Sequence, residues 1–152
     1  MSRRSLTPRP DAPPDLARLE RTTGFLLRLA QLRVYEAFHA RLAPLGITPT
    51  RYSVLCVVAD NPGIRPHEIA AALRVKRPNL ATLQAQLERE GLLARMAEAG
   101  GRAVRLRLTP QGARLLARLA RIVQALDREL TAPLSPQEHA TLLSLLHRLV
   151  QA

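Results

Sequence analysis

Apolar residues recur at three- and four-residue spacing along most of the chain, and the pattern switches once to strict alternation. Over residues 15–43, Leu16, Leu19, Phe25, Leu26, Leu29 and Leu32 keep helical spacing. Asp15 serves as the expected N-cap, and Pro44 and Gly46 end the helix. Thr48 then caps a second helix with Pro49 at its first position. Its body, 52–59, carries Val54, Leu55, Val57 and Val58 and is expected to be buried. Asn61-Pro62-Gly63 is a turn. Pro66 opens a short helix to about Leu73, with Ile69, Ala70 and Leu73 inward. Arg74-Val75-Lys76 links it to a fourth helix over 77–90, striped by Leu80, Leu83 and Leu87 and ended by Gly91. Residues 92–96 are a strand candidate, and Val104-Arg105-Leu106-Arg107-Leu108 alternates with the period of a half-buried strand. Joined through a turn over 97–102, they make a two-stranded hairpin. Thr109-Pro110 starts a helix to about Leu130, and the capping box Ser135-Pro136-Gln137-Glu138 starts the last one.

The order helix, helix, helix, helix, hairpin, helix, helix predicts a mainly α winged helix-turn-helix with flanking N- and C-terminal helices. In such a unit the second of the two short helices lies in the major groove. At 100° per residue, the side of helix 77–90 opposite its leucines carries Pro78 and Thr82, flanked by Asn79 and Gln86. Asn79, Thr82 and Gln86 suit base edges, and Lys76 and Arg77 sit where a helix start favours phosphate. Arg105 and Arg107 share one face of the hairpin, and Arg102 lies near its tip, where Gly100-Gly101 lets the chain turn sharply.

Charge agrees with this placement. The 152 residues hold 23 Lys+Arg and 12 Asp+Glu, a formal net charge of +11, and Lys76 is the only lysine. Arginine keeps its charge and offers a planar fork for phosphates and base edges. The excess is densest over 61–110, and double-stranded DNA is the partner it points to. Cys56 is the only cysteine, which excludes a disulfide or thiolate zinc framework within one chain. No apolar run approaches the about 20 residues of a membrane span, so no membrane partner is expected. The start of the chain lacks the apolar stretch of a secretion signal, which makes the cytoplasm the expected location. Residues 1–14, with four prolines and three arginines, read as a flexible basic arm.

Four stretches carry a family resemblance: Ile47-Thr48-Pro49-Thr50-Arg51-Tyr52-Ser53-Val54-Leu55, Glu68-Ile69-Ala70-Ala71-Ala72-Leu73, Leu87-Glu88-Arg89-Glu90-Gly91-Leu92-Leu93, and the segment from Arg102 to Leu108-Thr109-Pro110-Gln111-Gly112. Over about residues 15–150 the chain resembles the MarR (multiple antibiotic resistance regulator) family. The resemblance implies a homodimer formed by the first and last two helices, binding a pseudo-palindromic operator. It also implies transcriptional regulation, most often repression, with relief by a small phenolic or other aromatic ligand. The chain departs from the family pattern in three places. Gly100 stands where many members have an aspartate that orients the wing arginine, Thr82 where many have arginine, and Arg74 where many have glycine.

The resulting division is a basic arm (1–14), an N-terminal dimerisation helix (15–46), a DNA-binding region (47–109) and C-terminal dimerisation helices (110–152). Tyr35, His39 and Arg51 are candidates for lining a ligand crevice, with helix packing or plain surface as the competing role. The four histidines lack metal-ligand spacing, so neither a metal nor another cofactor is expected. Cys56 sits among valines and leucines, as a small core residue does, with an oxidant-sensing thiol as the alternative. No phosphate-cradling glycine loop, nucleophile elbow or paired-carboxylate motif points to an enzyme. A sequence-tolerant nucleic-acid binder and a protein-interaction winged helix are the competing functional classes.

Overall fold

A computed structural model describes residues 13–96 and 104–151. Its helices are α1 (Thr23–Leu42), α2 (Pro49–Asp60), α3 (Pro66–Ala72), α4 (Arg77–Arg89), α5 (Pro110–Thr131) and α6 (Pro136–Gln151), with strands β1 (Leu93–Met96) and β2 (Arg105–Leu108) between α4 and α5. The chain separates into two compact units, Met1–Arg33 and Val34–Ala152.

In the first unit the helix starts later than its spacing predicts. Asp15 accepts from the Ala17 amide and caps only a turn, in which the Leu19 and Glu20 amides donate to Leu16 O. The Thr22 hydroxyl donates back to Leu19 O, and Thr22 O accepts the first helical bond from Leu26. Thr22-Thr23-Gly24 explains the break: two β-branched residues and a glycine are poor helix interior but tolerable at a helix start.

The second unit holds the core. Phe38 and Leu42 of α1, Val54, Leu55 and Val58 of α2, Ile69 of α3, Leu80 and Leu87 of α4, Leu106 of β2 and Leu119 and Leu126 of α5 are all buried. Thr48 caps α2 through the Arg51 amide, and Thr109 caps α5 through the Gly112 amide. An ion pair between Arg41 and Glu129 joins α1 to α5. Helix α6 starts at the predicted capping box, with Ser135 N donating to Glu138 at 2.8 Å. It buries no residue, and Leu142, Leu143, Leu145 and Leu149 are exposed, as Leu26, Leu29 and Leu32 are on α1.

Strands β1 and β2 pair antiparallel, Leu93 with Leu108 through Met96 with Arg105. The sheet has one feature beyond the predicted hairpin. Leu106 also exchanges backbone hydrogen bonds with Gly63 and Ile64, forming a bridge on its other side. The Asn61-Pro62-Gly63 turn therefore feeds the sheet as well as reversing the chain.

Candidate nucleic-acid interface

Helix α4 presents the predicted outward face. Lys76 is its N-cap in extended conformation, and Pro78 lies in its first turn, where a missing N–H costs nothing. Lys76, Arg77, Pro78, Asn79 and Thr82 are exposed, and Gln86 is half-buried. The Thr82 hydroxyl donates to Pro78 O at 3.1 Å, which leaves it an acceptor towards solvent. Ala81 and Ala85, also exposed, keep this face low.

The inward face does more than its leucines suggest. Gln84 is buried, and its side-chain amide donates to Glu88 at 2.7 Å. Glu88 also accepts from Arg95 Nε at 3.0 Å, which ties α4 to β1. Burial alone would raise the Glu88 carboxyl, but the hydrogen bonds from Arg95 and Gln84 outweigh it and hold the group below its usual value. At the far end, Arg51 of α2 forks onto Glu90, the α4 C-cap, with one bond of 3.1 Å. The chain then leaves α4 through Gly91 at φ +69°, with Leu92 N bonded to Leu87 O and Gly91 N to Glu88 O. These clasps fix the helix at both flanks and leave its outward face clear.

On the hairpin, Leu106 is buried and Arg107 exposed, as alternation requires. Arg105 is half-buried, and its guanidinium donates to Gly63 O at 3.0 Å, bracing the sheet against the preceding turn. Arg102 and the Gly100-Gly101 turn lie outside the described residues. Of the three ligand candidates, Tyr35 and His39 are both exposed and stack on each other on α1, their ring centroids 6.1 Å apart, while both Nη atoms of Arg51 bond Glu90 and its buried Nε has no hydrogen-bond partner among the described residues. Burial pushes the Tyr52 phenol up to about 12 and raises the Cys56 thiol one turn further along α2, so that thiol stays protonated at neutral pH. Sequence reasoning missed Gln84, Glu88, Glu90 and Arg95. Their only signal is the four-residue step from Gln84 to Glu88, which a leucine stripe overshadows.

This arrangement has known counterparts. A sequence profile of the MarR family matches residues 45–103, which contain α2, α3, α4 and β1. A protein of Thauera aromatica assigned to transcriptional regulation of the hcr operon is 36% identical over 128 residues, covering 83% of this chain and 77% of that protein. The chain belongs to the MarR family. The Mycobacterium tuberculosis HTH-type transcriptional repressor Rv2887 is 31% identical to this MarR-family chain over 117 residues, 76% of this chain and 84% of the repressor. The repressor CouR, solved on a 23-mer DNA duplex, superposes with a TM-score of 0.85 at 34% identity, over 91% of this chain and 99% of CouR. CouR has also been solved bound to p-coumaroyl-CoA, with a TM-score of 0.78 to this chain. These relatives are regulators of transcription. Among the described residues, no single helix is long and apolar enough to cross a membrane.

Proposed function

We propose that the chain is a transcriptional repressor that binds a pseudo-palindromic operator as a homodimer. The observation that carries this reading is the exposed face of α4, with hydrogen-bonding side chains in the middle, cations at its start and clasps behind it. In the bound state Asn79, Thr82 and Gln86 meet base edges, Lys76 and Arg77 meet phosphates, and Pro78 packs against the backbone. Arg107, Arg105 and Arg102 belong to the wing, and of the two described, Arg107 is the more exposed to phosphate, since Arg105 is half-buried and bonded to Gly63.

Residues 15–46 and 110–152 carry the dimer in this account, and 47–109 the DNA contact. The exposed leucines of α1 and α6 support it, since clusters of large exposed apolar side chains mark interaction surfaces. CouR, a relative with 34% identity, holds an aromatic acyl-CoA, which supports an effector of the aromatic or phenolic acid class, free or as a thioester. Competition gel shifts with DNA from upstream of the coding region test the function. Sequence-specific binding, released by such a compound, is the expected result. Sequence-blind binding would instead mark an architectural protein, and no binding a protein-interaction module.

A further inference from the structure

Two helices and a 3-10 turn of the second unit close in the same way, but with different residues. The 3-10 turn after α1 ends on Gly46 at φ +68°, and α4 ends on Gly91 at φ +69°. Helix α3 ends on Arg74 at φ +51°, with Val75 N bonded to Ala70 O and Arg74 N to Ala71 O. This is the same left-handed closure, and a residue with a Cβ is strained there where glycine is not. The backbone gains nothing from arginine at this position, so the reason for it lies at the end of the side chain.

That end has two neighbourhoods. One Nη donates to Val150 O at 3.1 Å, in the last turn of α6, where carbonyls lack helical partners. The same side chain lines a cavity of about 380 Å³ with Thr50, Val75, Lys76, Asn79 and Leu80. Thr50, Arg74, Lys76 and Asn79 are all exposed. The cavity thus offers two cations, a hydroxyl and a carboxamide at the edge of the α4 outward face. Among the described residues, neither cation is paired with a carboxylate. Two uncompensated positive charges beside a hydroxyl donor match a phosphate oxyanion.

We propose that Arg74, Lys76 and Thr50 form a site for a DNA backbone phosphate, leaving Asn79 at its rim for the base edges, and that Arg74 is held in reserve on the Val150 carbonyl until DNA arrives. The proposal rests on the DNA-binding function argued above. The exchange runs downhill, because a guanidinium bonds an ionised oxygen more strongly than a neutral carbonyl. It also links two parts of the protein, since occupying the phosphate site releases the last turn of α6.

The test titrates binding of a short DNA duplex against salt for the full chain and for Arg74→Gly. Glycine suits the left-handed φ, so this variant keeps the turn. The slope of log K against log salt is expected to fall by about 0.9 per protomer in the variant, one phosphate contact's worth. In parallel, NMR follows the carbonyl carbon of Val150. Saturating DNA should move its signal to the position it has in DNA-free Arg74→Gly. A wild type that binds while the variant keeps its slope, or a Val150 signal indifferent to DNA, overturns this proposal alone. Inorganic phosphate is the third arm. If it moves the Val150 signal saturably while the slope is unchanged, the site takes a free anion and the DNA assignment is overturned. A wild type that binds no DNA overturns this proposal together with the function on which it rests.

Discussion

A Cβ added at Gly112 meets the Leu92 carbonyl oxygen at 2.2 Å and the Leu92 carbonyl carbon at 3.0 Å. Both are backbone atoms, held by Thr109 N to Leu92 O at 3.0 Å and by the Thr109 hydroxyl to Gly91 O at 2.6 Å, so neither side can yield. Gly112→Ala is expected to cost about 3 kcal/mol, at the upper end of overpacking penalties, in denaturant unfolding. Arg114→Ala, on the exposed side of the same helix, should stay within about 0.5 kcal/mol. The Leu-Thr-Pro-Gln-Gly run is legible in the sequence as a motif, but its glycine is explained only by the carbonyl beneath it. Arg74 gives a second contrast. Arg74→Gly and Arg74→Ala both lose the bond to Val150, yet only glycine relaxes at φ +51°. The glycine variant should unfold about 1 kcal/mol later than the alanine variant, and equal stabilities would remove the strain from the account.

Helix α4 is where the fold and the candidate site meet. Its Glu88 is held below its usual carboxylate value, so the folded state binds a proton there less readily than the unfolded chain. The stability this contributes is present above the unfolded value and is lost as pH falls through the folded one. Glu88→Gln should therefore flatten the acid limb of stability below about pH 4.5, read by unfolding at a series of pH values, while leaving neutral-pH DNA contact residues in place. On the outward face, two kinds of substitution separate. Lys76→Ala should weaken binding evenly across DNA sequences and lower the salt slope. Asn79→Ala or Gln86→Ala should instead narrow the gap between specific and unrelated DNA by about 1–3 kcal/mol per lost base contact. The outward face was readable because helical periodicity and the leucine stripe fix which side is free. The clasps were not, because Glu88–Arg95 and Arg51–Glu90 join residues of different elements brought close by tertiary packing, across up to 39 positions of chain. The late start of α1 has the opposite cause, a local one. Its leucine spacing continues across Thr22-Thr23-Gly24, where local backbone preference prevails.

For the molecule as a whole, charge and apolar surface divide the work. The net charge of +11 gives a long-range attraction to polyanions, and the proposed short-range contacts fall to side chains on α4, in the wing and at the Arg74 cavity. The leucines left exposed on α1 and α6 supply the dimer surface in this account. Leu145→Glu, at a position 52% exposed, should leave the unfolding midpoint nearly unchanged while lowering the sedimenting mass at micromolar concentration. A dimer that survives this change would move the interface elsewhere. The most direct test of the central claim is the stoichiometry and specificity of binding to the DNA upstream of its own coding region, measured by anisotropy at physiological salt. The account predicts two protomers per site and an affinity at least about 10³-fold above that for a shuffled duplex. Equal affinity for the two duplexes, or binding by a single protomer, would contradict it.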